Sequence, residues 1–192
     1  MRSLLIYIYH LRFRLFKRII PSILRKEIFF SKNQIVNLGF CKISLNLENS
    51  IDREIYLKGF YEKEQIEYLH KISKNERIEY FLDIGSYIGY YSLYFSSIKN
   101  IHAFEPNETN FKYLQQNIEL NNINITAHNT ACSDTTSDKL IWYIDENKMG
   151  GSSIYYENDP ELLKYDKKNI KFKKIKTKKL DDVIDIKNKS IL

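Results

Sequence analysis

From residue 78 to residue 128 the chain alternates apolar runs of strand character with stretches of helical period, and this alternation constrains the fold more than any other feature. The pattern predicts a strand at Ile78–Ile84, then a helix at Tyr87–Ser97 entered through a glycine turn. A second strand at Ile101–Phe104, a second helix at Glu108–Asn121 and a third strand at Ile123–His128 follow. Strands and helices that alternate through short links imply a parallel sheet with right-handed crossovers. The expected class is therefore α/β, with a Rossmann-like sheet. A chain of 192 residues with 43% hydrophobic content supports one domain of this kind with one real core.

The candidate chemistry sits where the first strand ends. In Tyr80-Phe81-Leu82-Asp83-Ile84-Gly85-Ser86-Tyr87-Ile88-Gly89 an apolar strand reaches an acid, and two glycines four apart then lead into a helix. Gly85 permits a turn that a side chain would obstruct, bringing the backbone close to a ligand over the carboxyl end of the strand. Gly89 is expected to let the helix pack close to the strand. Glu105 ends the next strand, where a carboxylate with two oxygens can accept both hydroxyls of an adenosine ribose. The bland alternative for Glu105 is a surface acid at the start of the following helix.

The nature of the adenosine follows from charge. A dinucleotide needs free amide donors for its pyrophosphate, usually in a G-x-G-x-x-G turn, and here Tyr87 holds the middle glycine position. Asp83 beside the turn suits a cation instead. S-adenosylmethionine carries a sulfonium and an ammonium group and no phosphate, so the charges favour it over NAD. After the third strand, Asp134 is a candidate acceptor for an adenine amino group, with Ser133 supporting the loop. Asp83, Gly85, Ser86, Tyr87, Gly89, Glu105, Ser133 and Asp134 form the candidate cofactor set.

The ordered set of motifs resembles the FkbM-type methyltransferases. Phe81-Leu82-Asp83-Ile84-Gly85, Ile88-Gly89-Tyr90-Tyr91-Ser92, Ala103-Phe104-Glu105-Pro106-Asn107 and Ala131-Cys132-Ser133-Asp134 carry the resemblance. Phe111, Leu114 and Asn117, Leu120-Asn121, Gly151-Ser152-Ser153 and Leu180-Asp181-Asp182 extend it from about Lys58 to the C-terminus. It implies a class I methyltransferase fold with S-adenosyl-L-methionine as cofactor and a sugar or small-molecule hydroxyl as acceptor. Two residues depart from the family pattern: Tyr87 stands where Asn is usual, and Ser86 where Ala is typical. The family continues beyond Leu-Asp-Asp into a strand of the type Ile-Lys-Ile-Asp-Val-Glu-Gly. This chain stops at Ser190-Ile191-Leu192, so the sheet is expected to be incomplete at its C-terminal side, with an open edge on the first strand that favours self-association. The same fold as a noncatalytic remnant or binding module is the first alternative, and an NAD-dependent oxidoreductase the second.

Residues 1–57 read as a separate lead-in and residues 58–192 as the methyltransferase portion. Leu4, Ile8, Leu11, Leu15 and Ile19 make one apolar stripe, flanked by Arg12, Arg14, Lys17 and Arg18 and ended or kinked at Pro21. Such a helix packs on its own domain with a solvated basic face, the preferred reading, or lies in a membrane interface through residues 1–30. Ile35–Leu38 and Ile43–Leu47 predict a small hairpin around Gly39-Phe40, and residues 61–73 a helix with Ile66, Leu69 and Ile72 inward.

The remaining features exclude more than they assign. Cys41 and Cys132 show neither disulfide nor zinc spacing, which favours a reducing compartment, by default the cytoplasm with peripheral membrane contact as the variant. No metal site is expected. The net charge of +6 follows a Lys-, Ile-, Asn- and Tyr-rich composition and is a weak reason to invoke nucleic acid. His102 and His128 fall inside predicted strands and read as sheet residues rather than bases, and no catalytic residue is assigned. The lysines between Lys164 and Lys179 read as guards of an exposed edge strand.

Overall fold

In the computed structural model, the described residues are Tyr7, Tyr9, Ile19, Ile20, 32–75, 77–137, 141–145, 170–186 and 189–192. The chain divides into two units, Met1–Lys63 and Glu64–Leu192. In the first, the expected hairpin forms from β1 (Asn33–Asn37) and β2 (Lys42–Asn46), paired antiparallel with Asn37 opposite Lys42. Gly39, at φ +91°, makes the turn, and the Asn37 side chain accepts from its amide at 2.8 Å. Val36, Ile43 and Leu45 are buried, as are Ile55 and Leu57 of α1 (Ser50–Lys58). The sequence pattern predicts no helix at α1, whose nine residues mix Ile51, Ile55 and Leu57 with charged residues. The buried Asp52 carboxylate helps set its start by accepting from the Asn46 amide at 2.6 Å, and Gly59 ends it in a left-handed cap. The N-terminal amphipathic stripe and its basic flank lie outside the described residues, except for Ile19, which is helical like Ile20, Tyr7 and Tyr9.

The second unit has the expected alternation. After α2 (Lys63–Asn75) come β3 (Tyr80–Ile84), α3 (Tyr90–Tyr94), β4 (Asn100–Phe104), α4 (Glu108–Asn121) and β5 (Thr126–His128). The strands form one parallel sheet in the order β3-β4-β5, with Ile84 opposite Phe104 and Phe104 opposite His128. Phe81, Ile101 and Ala103 are buried on one face of this sheet, and Phe81 meets Phe95 at 4.8 Å. Asn107 caps α4, its side chain accepting from the amides of Thr109 and Asn110, and Asn122 closes it at φ +50°. This is an α/β fold of Rossmann-like type.

Three features differ from the sequence reading. The helix after the glycine turn is shorter than 87–97, because the turn itself occupies residues 85–89. Ala131-Cys132, to which the sequence reading assigned no element, is a strand, β6, paired parallel with β9 (Thr177–Lys178). Thr136 Oγ1 donates to Asp182 Oδ2 at 2.6 Å, which ties the segment just after Asp134 to the Leu180-Asp181-Asp182 motif. The outer edge of β3, expected to lie open, is bridged by the last residues of the chain. Ile191 lies parallel to Tyr80, the Ser190 carbonyl accepts from Tyr80 at 3.1 Å, and Leu82 donates to Leu192 at 3.0 Å. β3 thus has neighbours on both sides, and the carboxyl end of such a strand is where open α/β sheets place ligands. β7 (Ile141–Asp145) and β8 (Ile170–Lys174) pair antiparallel, so the lysine-rich stretch is in part a paired strand. Gly151-Ser152-Ser153 and Lys164 lie outside the described residues.

Candidate cofactor site

At the end of β3 the chain must turn sharply to start α3, and the hydrogen bonds show how it does so. Gly85 at φ +83° and Gly89 at φ +87° adopt the left-handed conformation, and between them Tyr87 does too, at φ +52°. That conformation is uncommon for a residue with a bulky side chain. The amides of Gly85 and Ser86 both donate to the Phe104 carbonyl, at 2.9 and 3.0 Å, and the Gly89 amide donates to Ser86 at 2.7 Å. Tyr87 donates its amide to Glu105 Oε2 at 2.9 Å. The turn is thus sewn to the end of β4 through its own backbone.

The two glycines serve different purposes. A Cβ on Gly85 would meet no atom within 4 Å, so the space above this residue is open. A Cβ on Gly89 would lie 2.6 Å from Leu114 Cδ1. The close approach that Gly89 permits is therefore to α4, correcting the expectation of contact with the strand.

Asp83 and Glu105 are the charged groups at the turn. Asp83 Oδ2 accepts from the Ser92 amide at 3.0 Å and from its hydroxyl at 2.5 Å, which fixes the first turn of α3. Burial pushes the Asp83 carboxyl up to about 6, against the lowering effect of the Ser92 bonds. Glu105 is 4% exposed, so the surface-acid reading fails. Its Oε1 accepts from the Asn107 amide at 2.9 Å and from Asn110 Nδ2 at 3.3 Å. Its backbone is held from both directions: the amide donates to the His128 carbonyl at 3.0 Å, and the carbonyl accepts from Asn129 Nδ2 at 2.8 Å. Burial raises the Glu105 carboxyl to about 7, the nearby Asp83 adding to it and the three donors working against it. Among the described residues the Ser86 hydroxyl is buried with no hydrogen-bond partner.

The structure therefore brings Gly85, Ser86, Tyr87, Gly89 and Glu105 into one bonded cluster, with Asp83 near Glu105 and bonded to Ser92. Ser133 and Asp134 belong to a different network. The Ser133 amide donates to Lys178 at 2.9 Å, its hydroxyl donates to Asp134 at 3.1 Å, and Asp134 is exposed. Sequence reasoning missed Asn107, Asn110, Asn129 and Ser92. Asn107 carries a readable signal, an N-cap residue opening a helix right after Glu105-Pro106. Ser92 ends a motif that carries the resemblance, which assigns it no role, and Asn129 acts across the fold, where no local pattern marks it. Among the described residues no cluster of His, Cys, Asp and Glu can hold a metal ion, and no helix is long and apolar enough to cross a membrane.

The chain matches no protein-family model and no curated protein sequence. Among solved structures it is similar to a Pyrococcus abyssi tRNA (uracil-54, C5)-methyltransferase in complex with S-adenosyl-L-homocysteine. The match has 19% identity and a TM-score of 0.38, and covers 54% of this chain. It spans 24% of that enzyme's length.

Proposed function

We propose that this chain binds S-adenosyl-L-methionine at the carboxyl end of β3 and belongs to a methyltransferase of the FkbM type, acting on a sugar or small-molecule hydroxyl. One observation carries this reading: most of the amides of the turn are engaged inside the protein, and carboxylates lie beside it. The amides of Gly85, Ser86, Tyr87 and Gly89 all donate inside the protein, and the Ser92 amide in the first turn of α3 is taken by Asp83. A pyrophosphate needs such amides free. Two buried carboxylates in their place favour a ligand that brings positive charge and no phosphate.

The residues fit the cofactor. Glu105 Oε2 has one protein donor and keeps acceptor capacity for a ribose hydroxyl, while Oε1 already has two. The open space over Gly85 admits a ligand against the backbone, and the unpartnered Ser86 hydroxyl offers a further polar contact. Bound there, the cofactor supplies an electrophilic methyl group for in-line transfer. The chain's own part is to bind, orient and hold negative charge near that cation. Ser133 and Asp134 remain candidates for the adenine edge. The protein is proposed to be cytoplasmic, its basic N-terminal segment packed on its own domain or resting on a membrane surface.

A noncatalytic binding module is the second reading. It is favoured by the engagement of both carboxylates at the turn in structural hydrogen bonds, which leaves the proton acceptor for the hydroxyl unassigned. Calorimetric titration with S-adenosylmethionine and, separately, with NAD tests the assignment. Saturable binding of the first alone is expected; binding of NAD alone, or of neither, overturns it. Binding without methyl transfer to any hydroxyl acceptor selects the module.

A further inference from the structure

His102 of β4 and His128 of β5 lie on the sheet face opposite Phe81, Ile101 and Ala103, since side chains alternate along a strand. His102 Nδ1 is 3.0 Å from His128 Nε2. The ring centroids are 5.3 Å apart and the planes differ by 10°. Together these values describe two nearly coplanar rings meeting nitrogen to nitrogen, with lone pairs aimed at each other rather than at a common third point. This is the geometry of an N–H···N hydrogen bond, not of two ligands to one metal. One facing nitrogen donates and the other accepts.

The rings are confined. Phe104 covers His128 at 4.5 Å and 12°, and Tyr80 of β3 lies alongside His102 at 6.1 Å and 22°. The charged group that acts on His128 from outside this sheet is Lys178 of β9, a cation. Among the described residues no carboxylate acts on either ring. Partial burial lowers both imidazoles below their ordinary value, and for His128 the partner ring and Lys178 lower it further.

We propose that the His102–His128 pair is a proton-controlled clasp on the candidate cofactor site. With one proton between the facing nitrogens, the rings hold β5 against β4. Charging both rings places a proton on each facing nitrogen and turns attraction into repulsion. The strand pairing under strain is short, three residues of β5. It also leads straight to the site, because the His128 carbonyl holds the Glu105 amide and the next residue, Asn129, holds the Glu105 carbonyl. Opening the pair releases the backbone of Glu105, and with it the anchor of the Tyr87 amide. The sign follows from the lowered values: the contribution to stability is full above the ordinary histidine value of 6.5, the first proton leaves an N–H···N bond in place, and the clasp is lost as falling pH charges the second ring.

The consequence for ligand binding rests on the cofactor reading above, but the clasp does not, so the test is run without ligand. Amide hydrogen exchange of the full chain, corrected for intrinsic rates, is compared at about pH 7.5 and at a pH below the second histidine step found by the nitrogen shifts. Protection at Glu105 is expected to fall about tenfold or more in the parent and less than about threefold in His102→Gln, which keeps a polar group but cannot charge. Nitrogen chemical shifts of the parent supply a readout that needs no variant: below neutrality the two rings are expected to titrate in separate steps. Unchanged protection at Glu105 in the parent, an equal loss in His102→Gln, or two rings titrating together at one ordinary value overturns the proposal. A working clasp in a chain that ignores S-adenosylmethionine would overturn the cofactor reading alone.

Discussion

Within the turn, Gly85, Tyr87 and Gly89 share a left-handed backbone but not the same surroundings, and the difference can be measured. Gly89→Ala meets both an unfavourable φ and the Leu114 side chain at 2.6 Å, so a loss of about 2–4 kcal/mol of folding stability is expected in urea titrations. Gly85→Ala meets only the φ penalty, about 1–2 kcal/mol, but fills the space over the turn and should weaken S-adenosylmethionine more than it weakens the fold. Equal effects of the two on stability would contradict this division. Tyr87 is the reverse case, a bulky side chain at φ +52°. Tyr87→Asn relieves the backbone part of this cost, since Asn tolerates the conformation better, and should gain about 0.5–1 kcal/mol in the same urea titrations. The glycines were legible because their spacing after an apolar strand has one main explanation. The partner of Gly89 was not, because Leu114 lies in another helix and only the folded chain brings it near.

Among elements, Glu105 joins the end of β4, the glycine turn and the start of α4, and its consequences are electrostatic. Asp83 and Glu105 hold protons in the folded chain at pH values where the unfolded chain, with ordinary values of 3.8 and 4.5, has released them. Their contribution to stability is therefore full at acid pH and declines as pH rises through about 6 for Asp83 and about 7 for Glu105. This opposes the trend from the two histidines, which lose stability below 6.5. A cationic ligand favours both carboxylates in their charged form, so binding should release protons and strengthen as pH rises between 6 and 7. Calorimetry in buffers of different ionisation enthalpy reads this directly; proton uptake on binding would be the wrong sign. Glu105→Gln should remove the part of the proton release that belongs to Glu105. It should also weaken affinity by about 1–3 kcal/mol, the cost of mismatching a buried polar partner. That Glu105 ends a strand is plain from the sequence. That three protein donors already claim it is not, because two of them, Tyr87 and Asn110, are set by the turn and by the phase of α4.

Across the second unit, the sheet order was legible as far as β5, because strict alternation of strands and helices leaves few topologies open. β6 and β9 escaped notice, since two-residue strands carry no period to detect, and the bond between Thr136 and Asp182 spans 46 residues. The same limit applies to residues 190–192, which were expected to leave β3 with an open edge. The Ser190 carbonyl accepts from Glu79 and Tyr80, Leu192 donates to Tyr80 at 2.9 Å, and Leu82 donates to Leu192 at 3.0 Å. The Lys189–Glu79 ion pair at 3.2 Å is half-exposed and adds little. Deleting residues 190–192 removes these backbone bonds and uncovers the ladder groups of Tyr80 and Leu82. At about 0.5–1.5 kcal/mol net for each bond, a loss on the order of 2 kcal/mol or more is expected in thermal or urea unfolding. An uncovered parallel strand beside the buried Phe81 also invites pairing with a second chain. Sedimentation velocity should then show association that rises with protein concentration in the shortened chain and less in the parent. Unchanged stability and unchanged sedimentation after the deletion would mean that the three residues do not guard the edge of β3, and that the strand owes its order to β4 and the helices alone.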